Sequence, residues 1–259
     1  MSDGLRIEVD GPVATLTLDR PEALNALTVP VKVGLREALE SIAADRSIRT
    51  VILTGAGRAF CAGQDLAERE QPDAAPLDVE LRERYNPIIR AIRSMGQPVI
   101  AAVNGVAAGA GASLAFACDL RIAADEARFV LAFGRIGLVP DSGATWFLPR
   151  LVGSAKAAEL ALVGDQLDAA EALRIGLVSK VVPGGQLLDE ARSMAGRLAE
   201  AAPLALALTK DALQRSGTID LDEALEGEAK LQGIAGASAD HAEGLAAFRQ
   251  KRPPRFSGS

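Results

Sequence analysis

The chain has 259 residues, of which 49% are hydrophobic and only 3% aromatic, enough for one large aliphatic core. The formal charge of −6, with no long basic run, argues against a nucleic-acid footprint. Two cysteines, Cys61 and Cys118, are too few for a disulfide framework and read as buried free thiols in apolar or glycine-rich surroundings.

No uncharged apolar stretch approaches the roughly 20 residues of a membrane span. The opening MSDGLRIEVDG lacks the charged-then-apolar order of a secretion signal. A cytoplasmic protein without membrane contact is therefore expected. The short basic tail Arg249–Arg255 needs no more than one polyanionic small ligand, such as a nucleotide phosphate, to explain it.

In chain order, Leu5 to Leu18 reads as a hairpin, with Ile7, Val9, Val13, Leu16 and Leu18 flanking the turn Asp10-Gly11. Thr28 can cap a helix with Pro30 in its first turn, and Val31, Leu35, Leu39 and Ile42 follow at helical spacing. Arg49 to Gly55 reads as a buried strand. Arg58 to Leu66 (RAFCAGQDL) is a glycine-containing turn, and Gln71–Pro76 a mobile, proline-punctuated loop. Leu81, Tyr85, Ile88, Ile92 and Met95 mark a helix that Pro87 must kink or delay.

Pro98 to Val103 is another buried strand. Asn104 to Gly111 then forms a glycine-rich turn into a helix through Leu114 and Phe116, and Asp119 to Ala123 is again a strand. Asp119 and Arg121 read as an ion pair, and Trp146 as core or pocket wall. Alternating short apolar strands and helices argue an α/β core. Beyond Ser154 only Leu177–Val182 looks like a strand, and helices start at Asp168, Pro203 and Asp220. A core over residues 1–200 and a helical region over 201–259 is the expected division.

The turns at 58–66 and 104–113 each follow a strand. Glycine lets such backbone approach a ligand, a helix start adds a positive dipole end, and two N–H groups on one oxygen make an oxyanion hole. Tight connection without chemistry is an equally good reading of either turn alone. Neither carries G-x-G-x-x-G or a phosphate loop ending G-K-S/T. The one histidine, His241, lies in a polar C-terminal helix and reads as surface, which removes Ser-His and Cys-His catalysis. No His/Cys/carboxylate cluster has metal spacing.

Together with DRPEALNAL (Asp19–Leu27), GLVPDSG (Gly137–Gly143) and FRQKRPPRF (Phe248–Phe256), these two turns resemble the crotonase (enoyl-CoA hydratase/isomerase) superfamily over essentially the whole chain. The resemblance implies an α/β spiral of ββα units with a C-terminal helical trimerisation region. It implies a homotrimer or hexamer acting on acyl-CoA thioesters, with coenzyme A arriving as part of the substrate and no separate cofactor. By matching motifs, the backbone N–H groups of Gln64 and Ala110 would form the oxyanion hole. Leu24, Ala26, Ala62, Asp65 and Leu66 match the CoA pocket, Phe133 counts with them as a substrate- or CoA-binding residue, and Phe248 and Lys251 match tail residues that reach CoA. For Asp65 a helix cap is the better reading of the residue itself, and for Lys251 a solvated surface position is nearly as good.

The family's hydratases use two glutamates. The matching positions here hold Ser113 and Phe133. One carboxylate remains nearby, Asp141. Judged alone, Pro-Asp-Ser-Gly is a type I turn without chemistry. The family's double-bond isomerases, however, carry a single carboxylate there, and one base suffices to take a proton from one carbon and return it to another. An apolar wall of Phe133, Ile136, Leu138 and Val139 would raise its pKa. Phe133–Gly153 most resembles the phenylacetate-pathway branch, whose members isomerise a ring epoxide of phenylacetyl-CoA or shift Δ3 double bonds to Δ2. An enoyl-CoA isomerase is the expected function; an atypical hydratase and a non-catalytic acyl-CoA binder are the alternatives.

Overall fold

The computed structural model describes residues 4–259. The expected hairpin forms as β1 (Leu5–Asp10) and β2 (Val13–Leu18), paired antiparallel. Next, α1 (Val29–Ala44) starts at Thr28, whose hydroxyl accepts from Val31 N–H, and buries Val31, Leu35, Leu39 and Ile42. Then come β3 (Thr50–Gly55), β4 (Ala59–Cys61), α2 (Leu66–Arg69) and α3 (Leu77–Glu80). An irregular connection over 71–76 joins the last two helices.

A π-helical turn over Leu81–Tyr85, in which Asn86 N–H reaches back to Leu81 C=O, leads into α4 (Asn86–Ser94). Pro87, in the first turn of α4, has no N–H to continue an α ladder, and the wider turn before it absorbs the loss. After this lie β5 (Val99–Val103), β6 (Val106–Ala108), α5 (Ala110–Ala117), β7 (Leu120–Ala124) and β8 (Arg128–Val130). The last part holds α6 (Ala144–Val152), α7 (Ser154–Val163), β9 (Leu167–Asp168), α8 (Ala169–Arg174), β10 (Lys180–Val182) and α9 (Leu187–Ala199). Three helices close the chain, α10 (Pro203–Ser216), α11 (Leu221–Gly236) and α12 (Ala239–Gln250).

The strands sort into a six-stranded sheet, β1-β2-β3-β5-β7-β10, and a four-stranded one, β4-β6-β8-β9. Successive pairs β3/β4, β5/β6 and β7/β8 each give one strand to each sheet, so the chain winds as a spiral. The central strands β3 and β5 are buried along their whole length. Strands of that kind need cover on both faces, which is why they read as unbroken apolar runs. One face meets the main core. The other packs Ile52, Ile100, Ile122 and Val182 against Leu187, Ala191 and Ala195 of α9.

Both glycine-rich turns contain a short strand, β4 in one and β6 in the other, where the sequence reads as turn alone. Three residues between glycines carry too little alternation to register as a strand. The same holds for β8 and β9, neither of which the sequence betrays. The last strand is Lys180–Val182, shorter than the expected Leu177–Val182, because Leu177 and Val178 sit in the turn before it. The helix starts at Asp168, Pro203 and Asp220 are where expected, with both aspartates capping through their carboxylates.

The expected Asp119–Arg121 ion pair does not form. Side chains two apart on a strand share a face, so the pair is sterically allowed, but both are drawn elsewhere by better partners. Asp119 binds Lys210 Nζ of α10 at 2.7 Å and Arg93 of α4 at 3.3 Å, and accepts from Val99 N–H at 2.9 Å. Arg121 donates to the carbonyls of Leu177, Phe116 and Cys118. Lys210 also reaches the carbonyls of Ile92 and Gln97, so α10 is fastened to the core through one buried ammonium. In the tail, Glu243 neutralises Arg252, so part of its basic character is used internally.

Candidate active site

The turn after β4 is clamped by the opening segment. Ala62 N–H donates to Leu24 C=O at 2.9 Å, and Leu27 N–H to Gly63 C=O at 2.7 Å. Asn25, 1% exposed, anchors that segment: its amide donates to the carbonyls of Ala56 and Ala59, and its Oδ1 accepts from Arg20 N–H. A trans peptide holds its N–H opposite its C=O. With Gly63 C=O aimed at Leu27, Gln64 N–H therefore faces away from the opening segment. No acceptor among the described residues takes it.

The second turn delivers Ala110 as the first residue of α5, where a helix leaves its N–H groups without intrahelical acceptors. Gly109, at φ 52° and ψ −124°, makes the corner, a conformation closed to other residues. Gly111 lets α5 lie on β4: a Cβ there would stand 2.2 Å from Cys61 C=O. A Cβ on Gly63 would stand 3.3 Å from Ala110 N, so the two turns meet. The burial that packs this contact pushes the Cys61 thiol up to about 12, leaving an inert packing group.

Both turns open on a cavity of about 250 Å³. Gly63, Gln64, Gly109 and Ala110 form one side, and Ala132, Phe133, Ile136 and Leu138 another. Asp141 faces the same space. Phe133 is buried beside Gly109. Ile136 and Leu138 form an exposed apolar rim, while Val139 points outward, 78% exposed, and is not part of the wall expected for it.

The turn carrying Asp141 is not type I. Ala144 N–H donates to Asp141 C=O, and both central residues are left-handed, Ser142 at φ 50° and Gly143 at φ 83°. That is a type I′ arrangement. A non-glycine residue there costs about 1–2 kcal/mol. The strain turns the chain sharply into α6 with the Asp141 side chain left at the cavity. Burial raises the Asp141 pKa above the ordinary aspartate value, opposed only by a 2.9 Å bond from Ser142 Oγ.

At the two positions where hydratases of the resembling family hold glutamates, Ser113 is fully buried and bonds Gly109 C=O, and Phe133 offers a phenyl ring. Ala62 and Leu66 line the cavity. Leu24 and Ala26 do not; Leu24 C=O takes the Ala62 N–H behind that turn, and Ala26 C=O accepts from Arg20. Asp65 caps α2 by accepting from Glu68 N–H and pairs with Arg20 at 2.7 Å, so its carboxylate, held below the ordinary aspartate range by Arg20, serves the fold. Phe248 and Lys251 lie away from this cavity, at the end of α12; Phe248 is 85% exposed. His241 is exposed, as expected.

Trp146 is half exposed and stacks under the Arg150 guanidinium, lining a separate groove against α10 and not this cavity.

A second carboxylate in the wall has no counterpart in the sequence reading. Glu80 is 4% exposed and lies between Lys32 Nζ and Arg84 Nη1. Lys32, at 0% exposure, also lies 3.8 Å from Glu68. A spacing of 48 residues between Lys32 and Glu80 leaves no local pattern to read. Beside them, the Tyr85 hydroxyl donates to Gln64 Oε1 at 2.7 Å. Among the described residues no group of three His, Cys, Asp or Glu is placed to hold a metal ion, and no helix is long and apolar enough to cross a membrane.

Residues 8–259 match the family model described as enoyl-CoA hydratase/isomerase. The chain is 45% identical to the 1,2-epoxyphenylacetyl-CoA isomerase of Escherichia coli K12, with 100% of each chain covered. It is 46% identical to a probable enoyl-CoA hydratase of Rhodobacter capsulatus over 98% of each. The crystal structure of an enoyl-CoA hydratase from Bacillus anthracis superposes with a TM-score of 0.96 at 35% identity, covering 99% of this chain and 100% of that one. With two glycine turns meeting at one cavity and these full-length likenesses, the chain belongs to the enoyl-CoA hydratase/isomerase family.

Proposed function

We propose that this enzyme isomerises an enoyl-CoA thioester, moving a double bond or opening a ring epoxide, with Asp141 as its single acid/base. The thioester oxygen sits between the N–H groups of Gln64 and Ala110, which stabilise the enolate; losing one such donor costs about 3–4 kcal/mol. Asp141 takes a proton from the carbon beside the thioester and returns it further along the chain, so the electron pair passes through the enolate and no atom is gained or lost. No redox change occurs, so the chemistry calls for no cofactor beyond the CoA of the substrate.

One observation carries the reading. Of the two carboxylates on the cavity, Glu80 is occupied by Lys32 and Arg84, and Asp141 is held only by a neutral hydroxyl. The 45% likeness to an epoxide-isomerising relative points the same way. Hydratase is the second reading, favoured by the Rhodobacter relative and by the presence of two carboxylates on one cavity.

Separate incubations with 3-enoyl-CoA and 2-enoyl-CoA in H₂¹⁸O test this. Migration without ¹⁸O uptake supports the isomerase, and uptake supports the hydratase. Turnover of neither these nor a ring-epoxide acyl-CoA thioester, with acyl-CoA still bound, points to a non-catalytic binder. The exposed Leu213, Leu221, Leu225 and Phe248 of the last helices fit a homotrimer or hexamer, which light scattering would read.

A further inference from the structure

Lys32 is a fully buried cation, and a buried ion pair does little for stability compared with apolar packing. Its surroundings point to another use. The Lys32 ammonium lies 4.9 Å above the Tyr85 ring, in the geometry of a cation–π contact. Glu80 and Glu68 hold the ammonium from α3 and α2, and both oxygens of Glu68 also accept from Val29 N–H of α1. The π-helical turn gives Tyr85 its direction, since one extra residue in the turn rotates the following side chains relative to a continuous α-helix. Carboxylates of α2 and α3 therefore hold the α1 ammonium over the Tyr85 ring, and the phenol, 4% exposed, donates to Gln64 Oε1.

We propose that Tyr85 is a positioning residue for the oxyanion hole: by gripping the Gln64 side chain, its hydroxyl fixes the direction of the Gln64 backbone N–H. This rests on the amide-pair reading of the site. Residue 64 is then held at two points, by Tyr85 at its side-chain end and by Leu27 at the Gly63 carbonyl on its other side. Between those anchors its peptide has little rotational freedom, and preorganisation of that kind is what makes an oxyanion donor effective. Burial, and then the nearby Cys61, Asp141, Glu80 and Glu68, push the Tyr85 pKa above its ordinary value, so the hydroxyl keeps its proton to donate.

Tyr85→Phe keeps the ring and its cation contact and deletes only the hydroxyl. If Tyr85 merely fills the core, kcat stays put. If it positions the amide, kcat falls about tenfold with KM changed less than twofold, matching loss of part of one donor's contribution. The second readout is the absorbance red shift of a bound chromophoric aryl-enoyl-CoA, which reports carbonyl polarisation without turnover; Tyr85→Phe should shrink it. Gln64→Leu should reproduce both changes, and the double variant should lose no more than either single one. Parent-like kcat and red shift in Tyr85→Phe overturn the inference while leaving the amide pair standing. A parent enzyme that binds the chromophore with no red shift overturns the amide pair, and the inference with it.

Discussion

Two walls of one cavity carry a carboxylate each, and they are built in opposite ways. On the wall from α3, Glu80 is buried with a cation against each oxygen. On the loop before α6, Asp141 has one hydroxyl partner and no cation, on a backbone held in a left-handed turn. A carboxylate between cations is committed to structure. One that burial has made uncomfortable, with little to relieve it, is available to pick up a proton. Having both on one cavity sets a rigid wall opposite a loop whose carboxylate is available for proton transfer.

The sharpest way to break this comparison is Asp141→Asn, expected to lower kcat by about 10²–10⁴-fold, the usual worth of a positioned acid/base. Steady-state kinetics on a 3-enoyl-CoA would show it, and turnover within a few-fold of the parent would remove Asp141 from the role. Glu80→Gln attacks the other wall. It leaves buried Lys32 with only the more distant Glu68 carboxylate, at 3.8 Å, and breaking a buried pair costs about 3 kcal/mol or more. Denaturant unfolding reads this loss, and a midpoint equal to the parent's would mean the ion pair is inert.

A smaller effect separates the two walls by sign. Because its folded pKa is raised, Asp141 favours the fold while protonated, and that contribution is lost as pH rises through the folded value. Asp141→Asn should therefore raise the melting temperature at pH 7 and gain progressively less as the pH is lowered through the folded pKa. No gain at pH 7 would mean the carboxylate is comfortable where it sits.

The smallest change is in a pH profile. Asp141 must be ionised to act as base, so kcat/KM should fall on the acid side, around a pKa above the ordinary aspartate value. Ser142→Gly removes the hydroxyl that lowers this pKa and suits the left-handed turn, so the acid limb should move to higher pH. An unmoved limb would sever Ser142 from the titration.

Much of the scaffold was legible because its causes are local. The Thr28 cap with its 3.6-residue apolar spacing, and the unbroken apolar strands β3 and β5, are written in a few consecutive residues. That the turn at Gly63 meets Ala110 was accessible through resemblance, since glycine turns alone do not say which pair will touch. What stayed hidden depends on distant partners. Asp119 chose Lys210 over the neighbouring Arg121, and Glu80 chose Lys32. Asp141 was legible as a residue but its turn was not, because Pro-Asp-Ser-Gly also allows a right-handed path, and the crowding that keeps residue 143 a glycine comes from Phe147, outside those four residues.

The clasp between Asp119 and Lys210 has a consequence for how the last helices can be removed. A protease cut between α9 and α10 would not free a self-contained core. It would take away the nearer of the two cations on Asp119, at 2.7 Å against 3.3 Å for Arg93, and uncover the carbonyls of Ile92 and Gln97 as well. The core under α10 would be left with acceptors lacking their donor, so trimming the carboxyl-terminal end should loosen the starts of β5 and β7 instead of yielding a tidy fragment.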